Sequence, residues 1–393
     1  MSANEVLIAS AKRTPVGALQ GVFADLTAPQ LGAVAIRAAL EASAVPAADV
    51  QEVVLGCVLP AGLGQAPARQ AALGGGLGIA TPATTVNKMC GSGMKAIMLA
   101  ADQIRTGDIA VAVAGGIESM TGAPYLLPKV RSGYRMGHRE ILDHMFYDGL
   151  QSPWDGKLMG CFADQAAKHY GITRAEQDDF GKESVRRALA AIDAGAFVNE
   201  IAPVELKSRS GSTTVAVDET PYKCDIKRIP NLKPAFSPDG TVTAASSSSI
   251  SDGAAAMVLV DGAHAARTGL RPIARIVAYA SHAREPEWFT TAPVGAIQKV
   301  LAQAGWKPGE VDLYEVNEAF AIVTLLAIRE LGLDPAKVNV NGGACALGHP
   351  IGASGARILV TLVHALKARG LKRGVASLCI GGGEATAVAL EIL

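Results

Sequence analysis

Aromatic residues are scarce in this 393-residue chain, with 3 Trp, 7 Tyr and 8 Phe. Charged residues make up only 18% and cancel, 36 basic against 36 acidic, so no net field recruits a polyanion or an anionic membrane. No apolar run reaches the roughly 20 residues needed to span a bilayer. The six cysteines, at 57, 90, 161, 224, 345 and 379, include no C-x-x-C pair and suggest no disulfide framework. Cys345 and His349 have a C-x3-H spacing, but no second ligand pair accompanies them, so no metal site is expected. The glycines around 74–78 do not form the G-x-G-x-x-G of a dinucleotide site. Met1–Pro15 has neither the basic-then-apolar layout of a secretion signal nor an Arg/Ser-rich amphipathic pattern, and a cytoplasmic location is expected.

What the chain has instead is small residues. Forty-three glycines and abundant alanine suit closely packed α/β layers and sites lined by backbone. The most informative feature is an internal repeat. Residues 35–50 align without gaps to 296–311, each reading as an amphipathic helix, a Pro-containing turn and then a strand, Glu52–Gly56 or Asp312–Val316. Ser92-Gly93 and Ser354-Gly355 each open a helix, reaching about Arg105 and Arg369. Val111–Glu118 matches Ser377–Glu384, and Gly253–Leu259 resembles Glu384–Leu390. In the first copy, residues 120–250 interrupt the unit before its last strand.

The expected fold is therefore α/β: two duplicated strand–helix units, related by a pseudo-dyad, with parallel sheets and a shared helical layer. Residues 1–119 with 251–270 form the first half, 120–250 an inserted loop domain, and 271–393 the second half. Functional groups in such sheets gather at the carboxyl ends of strands and at helix N-termini, and duplication brings two such ends together.

Four residues stand at those ends. Cys90 lies at the mouth of the helix opening at Ser92. His349 lies just before the equivalent helix of the second copy, and Asn317 and Cys379 each end a second-copy strand. A thiol at a helix N-terminus meets the positive end of the macrodipole, which favours thiolate. Gly91 and Gly93 leave the Cys90 N–H open as an oxyanion donor, and the glycine run 381–383 offers another. A buried cysteine is more often a small apolar filler than a nucleophile. Cys57, Cys161, Cys224 and Cys345 keep that plainer reading; Cys90 leaves it only because of the company it keeps.

At these residues the chain resembles the thiolases, and among them the acetyl-CoA acetyltransferases of biosynthetic type. The resemblance runs from Arg13-Thr-Pro-Val-Gly17 to the C-terminus and rests on Asn87–Gly93, Asn317-Glu-Ala-Phe320, Asn341–Gly355 and Leu378–Gly383. It implies a β-ketothiolase that condenses two acyl-CoA reversibly, with an acyl group carried on Cys90. His349 would activate Cys90, and Cys379 would exchange the proton at the α-carbon. His349 and a water on Asn317 would bind the enolate oxygen, and the N–H groups of Cys90 and Gly381 the tetrahedral oxyanion.

Coenzyme A is implied as substrate and product, with no metal or redox cofactor. Its path would run along Leu150, Met159, Ala235, Phe236, Ala244 and Ser248, with Ala319 and Phe320 nearby. Tyr222 or Lys223 stands where the family's CoA-binding Arg is usual, in a mildly basic stretch that also holds Lys207, Arg209, Lys227, Arg228 and Lys233. Departures are Leu158 where the family has His, and Ala245–Ser249 where it has Gly-Asn-Ala-Ser-Gly. Met159 implies short acyl chains, and Gly122–Arg139 a loop contact in a homodimer or homotetramer. The alternatives are a fatty-acid-degrading thiolase of broader chain length, another condensing enzyme of the same fold, and a non-catalytic acyl-CoA or lipid carrier. The second cysteine, Cys379, speaks against the other condensing enzymes, and the presence of Cys90, His349 and Cys379 together speaks against a carrier.

Overall fold

A computed structural model describes residues 5–208 and 211–393; Met1–Asn4, Arg209 and Ser210 lie outside it, and with them the start of the N-terminal segment and one of the basic residues just named. The first half opens on β1 (Val6–Arg13). Helix α1 (Ala28–Ser43) follows, begun by a capping box in which Thr27 and Gln30 satisfy each other's N–H groups. Pro46 then starts a single 3-10 turn, Ala47–Asp49, that delivers β2 (Glu52–Gly56). Next come α2 (Pro67–Gly74), β3 (Ala83–Val86), α3 (Ser92–Thr106) and β4 (Val111–Ser119). Between Ser119 and Ser251 the chain leaves the main sheet and forms α4 (Met159–Tyr170), α5 (Arg174–Asp193) and a hairpin of Val204–Ser208 with Gly211–Val215. It returns as β5 (Ser251–Asp261).

The second half repeats the scheme. β6 (Ala274–Ala283), α6 (Ala292–Ala304), the 3-10 turn Pro308–Glu310, β7 (Leu313–Val316), α7 (Ala321–Leu331), α8 (Ser354–Ala368), β8 (Arg373–Ile380) and β9 (Glu384–Ile392) follow in order. The main sheet runs β7-β8-β9-β6-β1-β5-β4-β2-β3, with Gly17–Ala18 a short tenth strand on β5. The two halves join where Leu7 and Ile8 of β1 face Arg275 and Ala274 of β6.

The expectation of parallel sheets needs correction. β3, β2 and β4 run parallel, as do β7 and β8, but β5 is antiparallel to β1 and β4, and β9 is antiparallel to β6 and β8. For β9 the cause is local: only Gly381–Gly383 separate it from β8, and three residues close a hairpin, whereas a parallel return needs a crossover of a dozen or more. Gly382 (φ 93°) and Gly383 (φ 85°) take the left-handed conformations this turn demands.

The helices fall into three layers separated by the two halves of the sheet. α1 and α2 cover one outer face, α6 and α7 the other. α3 and α8 form the shared middle layer, where Met94, Ile97 and Ile104 meet Leu359, Leu362 and Leu366 between the two inner sheet faces. Glycine sets how close these two helices come. A Cβ on Gly355 would lie 2.5 Å from the Met94 backbone nitrogen, and one on Gly93 3.0 Å from the Ala356 nitrogen. Backbone-to-backbone packing at the helix mouths thus draws together the loops that carry Cys90 and His349. The excursion is tied down by Arg13 at the end of β1. Its guanidinium, fully buried, donates to Glu200 (2.6 Å) and as a fork to Asp218 (2.7 and 2.9 Å). No helix among the described residues is long and apolar enough to cross a membrane.

Candidate active site

A cavity of about 370 Å³ opens where the ends of β4, β7 and β8 meet the excursion. Cys90, His349, Cys379 and Gly381 all line it. Cys90 sits in a tight turn ahead of α3 in which Met89 takes a left-handed φ of 47°. Ser92 fixes that turn, its hydroxyl accepting from the Lys88 N–H (2.8 Å) and donating to the Met89 carbonyl (2.6 Å). Two backbone N–H groups, those of Gly381 and of Cys90 itself, point at the thiol sulfur. They stand where an oxyanion formed on a carbonyl attacked by that sulfur would be received.

His349 is held from both sides. Its backbone N–H donates to the Ser249 carbonyl (3.1 Å), and its ring Nδ1 lies 2.6 Å from the Ser354 hydroxyl in the first turn of α8. That hydroxyl donates its one hydrogen to the Pro350 carbonyl (2.9 Å). With that hydrogen on Pro350, Ser354 accepts from the ring, and the tautomer that fits carries the imidazole hydrogen on Nδ1 and a lone pair on Nε2. Nε2 is buried and has no hydrogen-bond partner among the described residues.

Asn317 lies just beyond β7, its N–H donating to the Ser377 carbonyl (3.0 Å). Its Oδ1 accepts from Arg357 (3.3 Å), while its buried Nδ2 has no partner among the described residues. It is not part of the cavity wall itself; Ala319 and Phe320, just after it, are.

Burial dominates the electrostatics. It lowers the His349 imidazole to about 3, with the nearby Arg357 cation adding to the effect. It pushes the Cys90 thiol up to about 11 against the pull of the two N–H groups, with Glu118 assisting the rise, and raises the Cys379 thiol well above its ordinary value. The N–H groups pull toward thiolate, as expected, but desolvation is the larger influence. A terminus worth about half a charge does not outweigh desolvation of a full one. Both shifts favour a neutral thiol beside a neutral base.

Of the residues expected along a coenzyme A path, Leu150 and Met159 line one side of the cavity, and Ala235, Phe236, Ala244 and Ser248 another, beside Ala319 and Phe320. Lys223 does not: it lies on a 3-10 turn with its ammonium 2.5 Å from Glu219, apart from the cavity wall. Phe146, Phe289 and Ile351 also line the cavity and were not foreseen. Phe289 sits in a 3-10 turn between β6 and α6 that carries no motif. Ser354 lay inside a quoted motif but was read only as a helix start.

A thiol facing two backbone donors, with a neutral imidazole and a second thiol on the same cavity, defines an acyl-transferring site. The comparisons with known proteins agree. The thiolase N-terminal domain matches residues 6–263, and the thiolase C-terminal domain residues 270–392. The acetyl-CoA acetyltransferase of Pseudomonas aeruginosa is 49% identical over 389 residues, 98% of this chain and 99% of that one. Acetyl-CoA acetyltransferase 2 of Arabidopsis thaliana is 51% identical over 393 residues, 99% of this chain and 98% of the other. The crystal structure of the Bacillus anthracis acetyl-CoA acetyltransferase superposes with a TM-score of 0.97 at 40% identity, covering 99% of each chain. A thiolase from Ascaris suum in complex with coenzyme A gives 0.94 at 41% identity, covering 99% of this chain and all of that one. The chain belongs to the thiolase family and is an acyltransferase.

Proposed function

We propose that the chain is an acetyl-CoA C-acetyltransferase that joins two acetyl-CoA into acetoacetyl-CoA and runs the reverse thiolysis. The observation that carries this reading is the convergence of Cys90, Cys379 and the free Nε2 of His349 on one cavity with the Gly381 N–H at the Cys90 sulfur. As the Cys90 sulfur attacks the thioester carbonyl, its proton passes to His349 Nε2, and the oxyanion is received by the N–H groups of Cys90 and Gly381. Collapse breaks the carbon–sulfur bond to coenzyme A, whose sulfur takes the proton back from His349.

In the second half-reaction Cys379 first passes its own proton to His349 Nε2 and then, as thiolate, takes a proton from the methyl carbon of another acetyl-CoA. The enolate oxygen rests on His349 and on a water held by Asn317. The carbanion attacks the acetyl carbonyl on Cys90, the acyl–sulfur bond breaks, and the Cys90 sulfur takes the proton from His349 while Cys379 keeps the one it took, which restores both thiols and the neutral imidazole. Acids, bases and a nucleophile suffice, and the proposed reaction calls for no metal or redox cofactor. The second sulfur distinguishes this assignment from a binding protein of the same fold, which would need no base at the α-carbon.

Coenzyme A would lie along the wall of Leu150, Met159, Ala235, Phe236, Ala244 and Ser248. Met159 lines the cavity beside Gly381, and a bulky side chain there would favour four- to six-carbon substrates. Three units are proposed, 1–119 with 251–270, 120–250 and 271–393. Assembly into dimers or tetramers is proposed through the excursion, where Tyr125, Leu127 and Val130 are exposed.

The test is incubation with isotopically labelled acetyl-CoA followed by peptide mass mapping. The acetyl group is expected on Cys90 and absent from a Cys90→Ala variant. Label on another cysteine would overturn the assignment. Thiolysis constants that rise steadily from four to eight carbons would overturn the chain-length reading.

A further inference from the structure

Helix α8 carries two anchors one turn apart. Ser354 and Arg357 are three residues apart and so share a helix face. The first holds the His349 ring through Nδ1, and the second holds the Asn317 amide through Oδ1. His349 and Asn317 come from different loops, one before α8 and one after β7. The helix is the rigid element that sets them relative to each other.

Arg357 fits poorly as a stability element. It is 2% exposed, and the nearest carboxylate, Glu315, lies 3.8 Å from Nη1, beyond hydrogen-bond reach. Its Nε and Nη1 have no hydrogen-bond partner among the described residues. A buried cation so sparsely paired costs folding free energy, and an apolar residue of similar volume is often no worse. What its Nη2 does hold is the carbonyl oxygen of a side-chain amide whose other end, Nδ2, is buried and unpartnered. An amide can turn by 180° and exchange its oxygen and nitrogen; a guanidinium, which only donates, forbids one of the two orientations.

We propose that Arg357 is a positioning residue for carbon–carbon bond formation: it locks the Asn317 amide with Nδ2 free to hold the water at the enolate oxygen, in register with His349. This rests on the acetyltransferase reading above. The same cation has a second effect, since with burial it keeps His349 neutral and its Nε2 available. The other titratable groups near His349 are the Cys90 and Cys379 thiols on the same cavity, Glu118 of β4, which accepts from the Gly352 N–H, and Glu315 of β7 beside Arg357.

The experiment compares wild type, Arg357→Lys and Arg357→Met at pH 8 in two half-reactions. Acetylation of Cys90 is read by intact-protein mass, and enolate formation by deuterium uptake into the methyl group of acetyl-CoA in D2O. Both variants are expected to acetylate Cys90 within about threefold of wild type. Both should lose about a hundredfold in deuterium uptake and in condensation, the scale of a misplaced catalytic group. In Arg357→Met the acid limb of kcat/KM moves to higher pH because the cation is gone; in Arg357→Lys, which keeps the charge, it stays. Equal losses in both half-reactions with an unmoved acid limb would show a merely structural role and overturn the proposal. Should Arg357→Met fail to fold, Arg357→Lys decides alone: a folded Lys variant with wild-type deuterium uptake overturns it. A wild-type enzyme that fails to acetylate Cys90 would instead sink the functional reading, a distinguishable result.

Discussion

Replacing Ser354 by alanine isolates the base. The substitution removes one oxygen from the first turn of α8, where helix geometry does not depend on it. Three consequences follow from the contacts. The His349 Nδ1–H loses its acceptor at 2.6 Å, the Pro350 carbonyl loses a donor at 2.9 Å, and the ring is no longer confined to one tautomer. Leaving one buried polar group unpaired costs about 1–3 kcal/mol. Part of that loss is recovered if the proton moves to Nε2, which is also unpartnered in the resting site. The recovered form is the inactive one, because its cavity-facing nitrogen is no longer a base. The expected fall in kcat is therefore about 5- to 150-fold, the same 1–3 kcal/mol expressed as a rate factor. Both half-reactions should share it, since both use Nε2. Stopped-flow acetylation of Cys90 and steady-state condensation, with a melting curve as control, make the measurement. A folded Ser354→Ala variant with wild-type acetylation would refute the tautomer argument.

Two further outcomes are expected. Cys379→Ser should acetylate Cys90 at close to the wild-type rate yet condense at least about a hundredfold more slowly, because a hydroxyl is a far weaker acid than a thiol and matches the α-carbon proton poorly; parallel loss of both half-reactions in stopped-flow assays would contradict the division of labour. His349 also leaves a signature in stability. Its folded value of about 3 lies below the ordinary 6.5, so between those values the unfolded chain binds the extra proton. This contribution is present above pH 6.5 and is lost as pH falls toward 3, by up to about 1.4 kcal/mol per pH unit inside that window. His349→Gln should then lose less stability than wild type between pH 7 and 5 in urea titrations, and parallel pH profiles would count against a neutral buried imidazole.

Much of the site was legible because it lies at strand ends and helix mouths, which the repeat locates. Cys90 and His349 precede equivalent helices, and Asn317 and Cys379 end neighbouring strands, so pattern alone put them on one side of the molecule. The strand directions were misread as parallel throughout, although Gly381–Gly383 was in plain view. A glycine run suggests substrate approach as readily as a hairpin, and only counting residues between strands separates the two. The desolvation that opposes a Cys90 thiolate was not legible, because a sequence shows the helix mouth but not the surroundings of the half-buried thiol. Arg357 was passed over for a related reason. Within Ser354-Gly-Ala-Arg-Ile-Leu-Val-Thr-Leu a cation reads as the solvent-facing stripe of an amphipathic helix. α8 has almost no such stripe, because it lies in the middle layer with sheet on both sides.

That middle position also explains why duplication serves this chemistry. By the repeat, Glu118 at the end of β4 corresponds to Glu384 at the start of β9, and each reaches across to the other half. Glu118 accepts from the N–H groups of Val58 (3.0 Å) and Leu59 (3.2 Å) in its own half and of Gly352 (2.8 Å) in the loop between His349 and α8. Glu384 pairs with Lys88, two residues before the nucleophile. Each half therefore grips the loop of the other that carries a reacting side chain. The two grips are not equal. Glu118 is fully buried and burial raises it to about 7, whereas the Lys88–Glu384 pair is partly exposed and is worth less to stability. The base is thus held by a buried clamp and the nucleophile by a solvated one. In the proposed reaction Cys90 would pass from thiol to acyl thioester and back in each turnover, while His349 would only gain and lose a proton, and the buried clamp falls on the group that is not acylated.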